Sequence, residues 1–229
     1  MKVGTDGTLL GAWAEVPAAA VAPRVLDIGT GTGLIALMMA QRFPRARVVG
    51  VDIDPEAALQ ARENAAASPF ADRVDIIEGD ITALTRARER AEGGANALGR
   101  GTFDAIVCNP PFFTGSLHSP DAQRSLARHA DTLTYRELMD SAWRLLDDGG
   151  ELSVVIPSDC RDRLGAEAVL AGFFKARQCA VKTTPAKPPR RFLMAFRKHP
   201  TTAGAADSLE RELVVGSQAC NELTKDFYL

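Results

Sequence analysis

The sequence predicts an α/β fold in one domain: a seven-stranded mixed sheet with an antiparallel last strand and helices on both faces. Three observations carry that expectation. Short β-branched runs alternate with amphipathic stretches of helical length, the pattern of parallel strands joined by crossover helices. The last two runs are separated only by Ala186 to Arg190, too few residues for a crossover, so they form an antiparallel hairpin. A glycine-rich turn, "GTGTGL", lies between the first run and the first crossover helix, the place where open α/β sheets bind ligands.

Strands are expected at "RVLDIG" (24–29), "RVVGVD" (47–52), "RVDIIEGD" (73–80), "FDAIVCN" (103–109), "ELSVVIPS" (151–158), "CAVKTTP" (179–185) and "RFLMAFRK" (191–198). Helices fall between them at about 32–43, 55–67, 82–92, 134–147 and 161–174, with Asp54 capping the second ahead of Pro55. In the opening segment, 1–23, Asp6 can cap a short helix whose Leu9, Leu10 and Trp13 form an apolar stripe; it would lie over the crevice with Lys2 and Thr5 near the mouth. Gly93-Gly94 and Gly99-Arg100-Gly101 mark a surface insertion over 86–101. Beyond the 24–200 core, residues 201–229 supply an added strand, "ELVVG", and a terminal segment, "LTKDFYL". There is no internal repeat and no second domain.

At 229 residues, 46% hydrophobic and 24% charged, the chain can bury a substantial core. It contains no apolar run of membrane-spanning length and no apolar signal region behind Met1, so a cytoplasmic protein is expected. Cys108, Cys160, Cys179 and Cys220 are scattered without a C-x-x-C pair, which argues for reduced thiols rather than a metal site or disulfide framework. The net charge of −2 announces no nucleic-acid partner, but its distribution is uneven. Ala168 to Ala206 carries no acid while holding Lys175, Arg177, Lys182, Lys187, Arg190, Arg191, Arg197 and Lys198. Arg124, Arg128 and His129 form a second basic group, and such one-signed stretches can contact phosphate.

The glycine turn resembles the dinucleotide fingerprint G-x-G-x-x-G without fitting it. Its glycines are Gly29, Gly31 and Gly33, around Thr30, and Leu34 stands where the third fingerprint glycine belongs. Three acids instead mark the carboxyl ends of the first three strands. Asp27 can hold the amino group of an amino-acid moiety, Asp52 the ribose hydroxyls, and Asp80 an adenine amino group, with Ile53 and Ile81 beside the last two. Carboxylates in that number repel a pyrophosphate and suit a ligand bearing an ammonium and a sulfonium. S-adenosylmethionine fits better than NAD. The alternative, that each Asp merely caps the following helix, would account for one such acid more readily than three.

The fourth strand runs into "NPPFF". Proline cannot donate to a ladder, so the strand stops at Asn109, and Pro110 and Pro111 make the stop rigid. An exocyclic amine on a planar ring is a poor nucleophile because its lone pair is delocalised. The Asn109 side-chain oxygen and the Pro110 carbonyl, aimed at its two N–H bonds, draw the nitrogen toward a tetrahedral shape, with little reorganisation left for the moment of transfer. Phe112 can stack on the base, worth roughly 1–3 kcal/mol, which offsets much of the cost of unstacking it. A general base is not needed, because the amine loses its proton after attack.

In this order, "DIGTGTGL", "VDID", "GDI" and "NPPF" look like a Rossmann-like class I S-adenosylmethionine-dependent methyltransferase acting on exocyclic amines or planar amides. "MKVGTDGTLLGAWA", "ENAAASPFADRV", "RHADTLTYREL", "KPPRRFLMAF" and "LTKDFYL" narrow this over nearly the whole chain. The sequence resembles the bacterial tRNA1(Val) adenine-N6-methyltransferase family, which modifies the adenosine beside the anticodon. That resemblance implies a tRNA partner, with Arg124, Arg128, His129, Lys187, Arg190 and Arg191 as candidate phosphate contacts. Members carry a further segment ahead of the first of these motifs, and this chain starts inside it. The elbow alone leaves other acceptors open: a release-factor glutamine, a DNA adenine or a ribosomal guanine. A non-catalytic RNA-binding scaffold on the same fold is the reading from another class, and the intact Asn109, Pro110, Asp27 and Asp52 argue against it.

Overall fold

In a computed structural model, residues 4–87, 98, 101–110, 133–200 and 210–227 are described. The element order is α1 (Thr5–Trp13), β1 (Arg24–Ile28), α2 (Leu34–Arg42), β2 (Arg47–Asp52), α3 (Pro55–Ala67), β3 (Val74–Glu78), α4 (Ile81–Ala87) and β4 (Phe103–Cys108). It continues with α5 (Tyr135–Leu145), β5 (Leu146–Pro157), a single 3-10 turn (Ser158–Cys160), α6 (Arg161–Leu170), β6 (Phe174–Lys182), β7 (Arg191–Arg197), β8 (Glu210–Val214) and α7 (Gln218–Thr224). The strands form one sheet in the order β3-β2-β1-β4-β5-β7-β6-β8. Only β7 runs against the others, pairing antiparallel with both β5 and β6, as the short 186–190 connection requires.

The sheet has eight strands rather than seven. The added strand of the tail joins it parallel to β6, where Glu210 and Glu212 reach Lys175 and Lys182 of the neighbouring strand at 3.0 and 2.8 Å. Two boundaries also move. β5 starts at Leu146, before the expected Glu151, because the register with β4 jumps from Phe103↔Leu146 to Ala105↔Glu151 and absorbs the intervening Asp-Asp-Gly-Gly as an irregularity. β6 starts at Phe174, which shortens α6 to Leu170.

Side chains alternate across each strand, and the two faces have separate cores. Leu26, Ile28, Ile106, Cys108 and Leu152 pack with Leu138, Met139 and Leu145 of α5 and Leu164 of α6. Val25, Ala105, Val107 and Val155 on the opposite face pack with Leu9 and Leu10 of α1, Ile35 and Met39 of α2 and Cys220 of α7. α5 shows how local sequence serves this plan. Thr134 and Glu137 close a capping box, and Leu138, Ala142 and Leu145 recur at helical spacing on its buried face.

The apolar stripe of α1 is core rather than cover: Leu9 and Leu10 are buried and the helix packs on α2, β5 and β7. Its cap also differs from expectation. Gly4 occupies the N-cap position with no side-chain bond, while Asp6 lies in the first turn and accepts a 2.7 Å bond from Arg191 Nε. An ion pair to the start of β7 thus fixes the orientation of α1. Among the described residues no helix is long and apolar enough to cross a membrane.

Candidate active site

The chain leaves β1 for β2 and β3 on one side and later returns to place β4 on the other, so the loops at the carboxyl end of β1 diverge and open a crevice. Registers Asp27↔Gly50, Asp27↔Val107 and Ile28↔Cys108 bring the ends of β2, β1 and β4 level. The β1–α2 loop lies at the bottom. Gly29, Gly31 and Gly33 adopt φ of +69°, +58° and +82°, a left-handed conformation that costs other residues roughly 1–2 kcal/mol each. Gly29 and Thr30 both donate backbone N–H to the Val51 carbonyl, at 2.8 and 3.0 Å. Asn64 of α3 donates to the Thr32 carbonyl at 2.9 Å. The loop is therefore pinned from β2 and α3, and a Cβ at Gly29 would meet nothing within 4 Å, so its outer side is open to a ligand.

Asp27 lies fully buried beneath this loop. Its Oδ2 accepts from the Thr30 hydroxyl at 2.7 Å and the Ala36 backbone N–H at 3.1 Å, while Oδ1 is buried with no hydrogen-bond partner among the described residues. Burial pushes its pKa up to about 7; the bonds from Thr30 and Ala36 oppose the rise and the nearby Asp52 charge adds to it. Burial, with the Asp27 and Asp52 charges, also pushes the neighbouring Cys108 thiol well up, so it is no nucleophile here. Gly50 makes the Asp27–Thr30 pair possible, since a Cβ there would come within 2.8 Å of the Thr30 hydroxyl and 2.7 Å of Ile76. Gly50, Ala36 and Asn64 are parts of the site that the motifs do not announce.

Asp52 holds the loop and faces the crevice at once. Its oxygens accept from Gly31 N (2.7 Å) and Asp54 N (3.0 Å), leaving lone pairs for further donors. Ile53 beside it is 49% exposed, an apolar surface at the crevice wall. Asp80 behaves differently: both oxygens are engaged by Thr82, its N–H at 2.8 Å and its hydroxyl at 2.7 Å, so it does cap α4. Asp54 caps α3 through Glu56 N at 2.9 Å, as expected. The capping explanation therefore holds for Asp80 and Asp54, covers only one oxygen of Asp27, whose Oδ2 accepts from Ala36 in the first turn of α2 while Oδ1 is left over, and fails for Asp52. Ile81 is built into the core at 5% exposure and presents no wall to a ligand.

Asn109 follows β4 directly, with Pro110 buried behind it. Asn109 Oδ1 is the second buried oxygen of the crevice without a hydrogen-bond partner among the described residues. Thr5 is exposed at the start of α1, whose Gly7 approaches Leu34 at the head of α2. Lys2, Pro111, Phe112, Arg124, Arg128 and His129 lie outside the described residues.

The acid-free stretch is largely neutralised by tertiary structure. Lys175 and Lys182 meet Glu210 and Glu212 of β8, Arg191 meets Asp6, and Lys198 meets Asp148 at 3.3 Å. Arg177 and Arg197 converge on buried Glu151 at 2.7 and 2.9 Å, and Arg177 also stacks 3.8 Å over the Trp13 ring. Arg191, a candidate phosphate contact, is thus occupied inside the fold. Lys187 and Arg190 alone of the eight have no acidic partner among the described residues.

The family model described as "Methyltransferase small domain" matches residues 14–185. A tRNA1(Val) (adenine(37)-N6)-methyltransferase of Porphyromonas gingivalis is 50% identical over 198 residues, 86% of this chain and 74% of the relative. Among solved structures, a predicted O-methyltransferase of Agrobacterium tumefaciens superposes with a TM-score of 0.64 over 96% of this chain and 95% of its own, at 20% identity. A glycopeptide N-methyltransferase complexed with S-adenosyl-L-methionine gives 0.56 over 87% and 90%, at 16%. At such identities the likeness shows the fold. The protein is a methyltransferase that uses S-adenosyl-L-methionine, and the glycine loop, the orphaned Asp27 oxygen and the free lone pairs of Asp52 fit that cofactor. The chain belongs to the tRNA1(Val) (adenine(37)-N6)-methyltransferase family.

Proposed function

We propose that the protein methylates the exocyclic N6 of an adenosine beside the anticodon of a tRNA. The observation that carries this is the pair of buried acceptors without donors among the described residues, Asp27 Oδ1 and Asn109 Oδ1, at the ends of adjacent strands. A buried acceptor left unpaired costs roughly 1–3 kcal/mol, and a ligand that brings the missing donor recovers that cost. Two donors of different kinds answer the two positions. Asp27 takes the ammonium of the cofactor, and Asn109 takes an N–H of the substrate amine.

S-adenosyl-L-methionine, when bound, supplies a methyl group activated on a sulfonium. Asp52 accepts the ribose hydroxyls while keeping Gly31 in place, and Ile53 offers an apolar surface to the adenine. Asp80 can still accept from an adenine amino group through the lone pairs that Thr82 leaves unused. At the acceptor side, Asn109 Oδ1 and the Pro110 carbonyl polarise the amine, and proline fixes the geometry of the second. Pro111 and Phe112, outside the described residues, are assigned from the sequence alone to stiffening that elbow and stacking on the base.

The test is transfer of labelled methyl to tRNA lacking the modification, followed by nucleoside analysis. N6-methyladenosine is the expected product. Label on guanosine, or on a protein glutamine in an extract, would overturn the substrate assignment, because the same elbow suits those planar nitrogens.

A further inference from the structure

The two cations of the stretch left without acidic partners among the described residues stand together on the β6–β7 connection, residues 183–190. Topology puts that connection on the site's side of the sheet. β7 is antiparallel to β5, so its first residue, Arg191, pairs with the last residue of β5, Pro157, while Val154 of β5 pairs with Cys108, the residue before Asn109. The connection therefore rises from the same carboxyl edge as the glycine loop. It stands two strand spacings sideways and three residues up from the end of β4, roughly 14 Å in all. On a nucleic-acid strand that is a span of about four stacked nucleotides.

This connection is also braced. Pro185, Pro188 and Pro189 fix three of its φ angles. Lys187 N–H donates to the Thr184 carbonyl at 3.2 Å and Arg190 N–H to the Val181 carbonyl at 2.8 Å. From the end of β5, Ser158 donates its backbone N–H to the Arg190 carbonyl and its hydroxyl to the Pro189 carbonyl. Lys187 and Arg190 are both exposed. Such stiffness is not needed for a tight turn between two strands. It serves a surface whose binding partner gains from charges already in place.

We propose that Lys187 and Arg190 form a preorganised clamp on the phosphate backbone of the RNA substrate, a few nucleotides from the base that enters the site. The clamp rests on the tRNA reading of that site. Its chemistry is the fork of a guanidinium and the point charge of an ammonium, both suited to phosphate oxygens. Ser158 is a positioning residue, acting through the two carbonyls it holds.

The experiment compares wild type, Lys187→Gln/Arg190→Gln and Lys175→Gln/Lys182→Gln. It measures tRNA affinity against salt concentration, KM and kcat for methyl transfer, and S-adenosylmethionine affinity by calorimetry. Losing two phosphate contacts should reduce the slope of log affinity against log salt by about 1.4 to 1.8. In that double variant KM for tRNA rises, while kcat and cofactor affinity hold. The Lys175/Lys182 variant removes the same charge from ion-paired positions and keeps the wild-type slope. An unchanged slope in the Lys187/Arg190 variant, or an equal change in both variants, overturns the clamp while leaving the tRNA reading intact. Failure of the wild type to methylate tRNA overturns both.

Discussion

Replacing Asp27 with Asn separates the cost of its buried carboxylate from its use. The carboxyl is held at about 7 against 3.8 in its ordinary setting, chiefly by burial. A group whose folded pKa lies above its unfolded one binds a proton in the folded state that the unfolded chain has released. Stability of the cofactor-free protein therefore falls as pH rises from about 4 to about 7, and is level above that. At ~1.4 kcal/mol per unit the shift amounts to about 4 kcal/mol. Asn cannot ionise. Its carbonyl can take over the bonds from Thr30 and Ala36, while its amide puts N–H donors at a buried position where the carboxylate only accepts, at roughly 1–3 kcal/mol. At pH 5, 1.2 units above the ordinary value, wild type has already lost about 1.7 kcal/mol of this, so the two proteins should lie within about 1 kcal/mol of each other, while at pH 8 the variant should be more stable by about 1–3 kcal/mol. Urea unfolding at pH 5, 6, 7 and 8 without cofactor measures this, the other titrating groups cancelling between the two proteins. S-adenosylmethionine binding, measured beside it, should be largely lost at every pH. A stability difference that stays constant across the four pH values would mean that burial does not raise the Asp27 pKa.

In wild type, cofactor affinity should fall as pH drops below about 7, up to tenfold per unit, because the ammonium competes with the proton for Asp27; calorimetry from pH 8 to 5.5 checks it. Gly50→Ala places a methyl within 2.8 Å of the Thr30 hydroxyl and 2.7 Å of Ile76, so it should cost about 1–3 kcal/mol of stability and weaken cofactor binding through the displaced Thr30. Unchanged cofactor affinity in that variant would count against the Thr30–Asp27 link. Glu151→Ala removes the buried carboxylate that Arg177 and Arg197 share, while Arg177 keeps its ion pair with Glu15, and should cost about 1–3 kcal/mol, read as a lower urea midpoint, with cofactor affinity unaltered below the transition.

Features set by contacts near in sequence were legible before the fold. The β7 hairpin followed from a connection too short to hold a helix, the turn between β1 and α2 from its three alternating glycines, and the α3 cap from Asp54 before Pro55. What depends on distant partners was not. The basic stretch reads as a phosphate-binding face until Glu151, Glu210, Glu212, Asp6 and Asp148 close on it from elsewhere in the chain. Asp6 reads as a cap because Asp near a helix start usually is one, and Arg191, 185 positions away, claims it instead. Asp27, Asp52 and Asp80 look equivalent as strand-end acids; only burial and partners separate an orphaned acceptor, a loop anchor and a helix cap. Gly50 is an ordinary strand glycine until Thr30 is folded onto it.

Asn109 as the acceptor for the substrate amine is tested most directly by the single-turnover rate of N6-methyladenosine formation by wild type and Asn109→Ala on the same tRNA, with cofactor and tRNA affinities determined for both. Removing one preorganised partner of the reacting group should slow methyl transfer by about 10²–10³ at saturating cofactor and tRNA, with both affinities little changed. A variant that methylates at the wild-type rate under those conditions would contradict it.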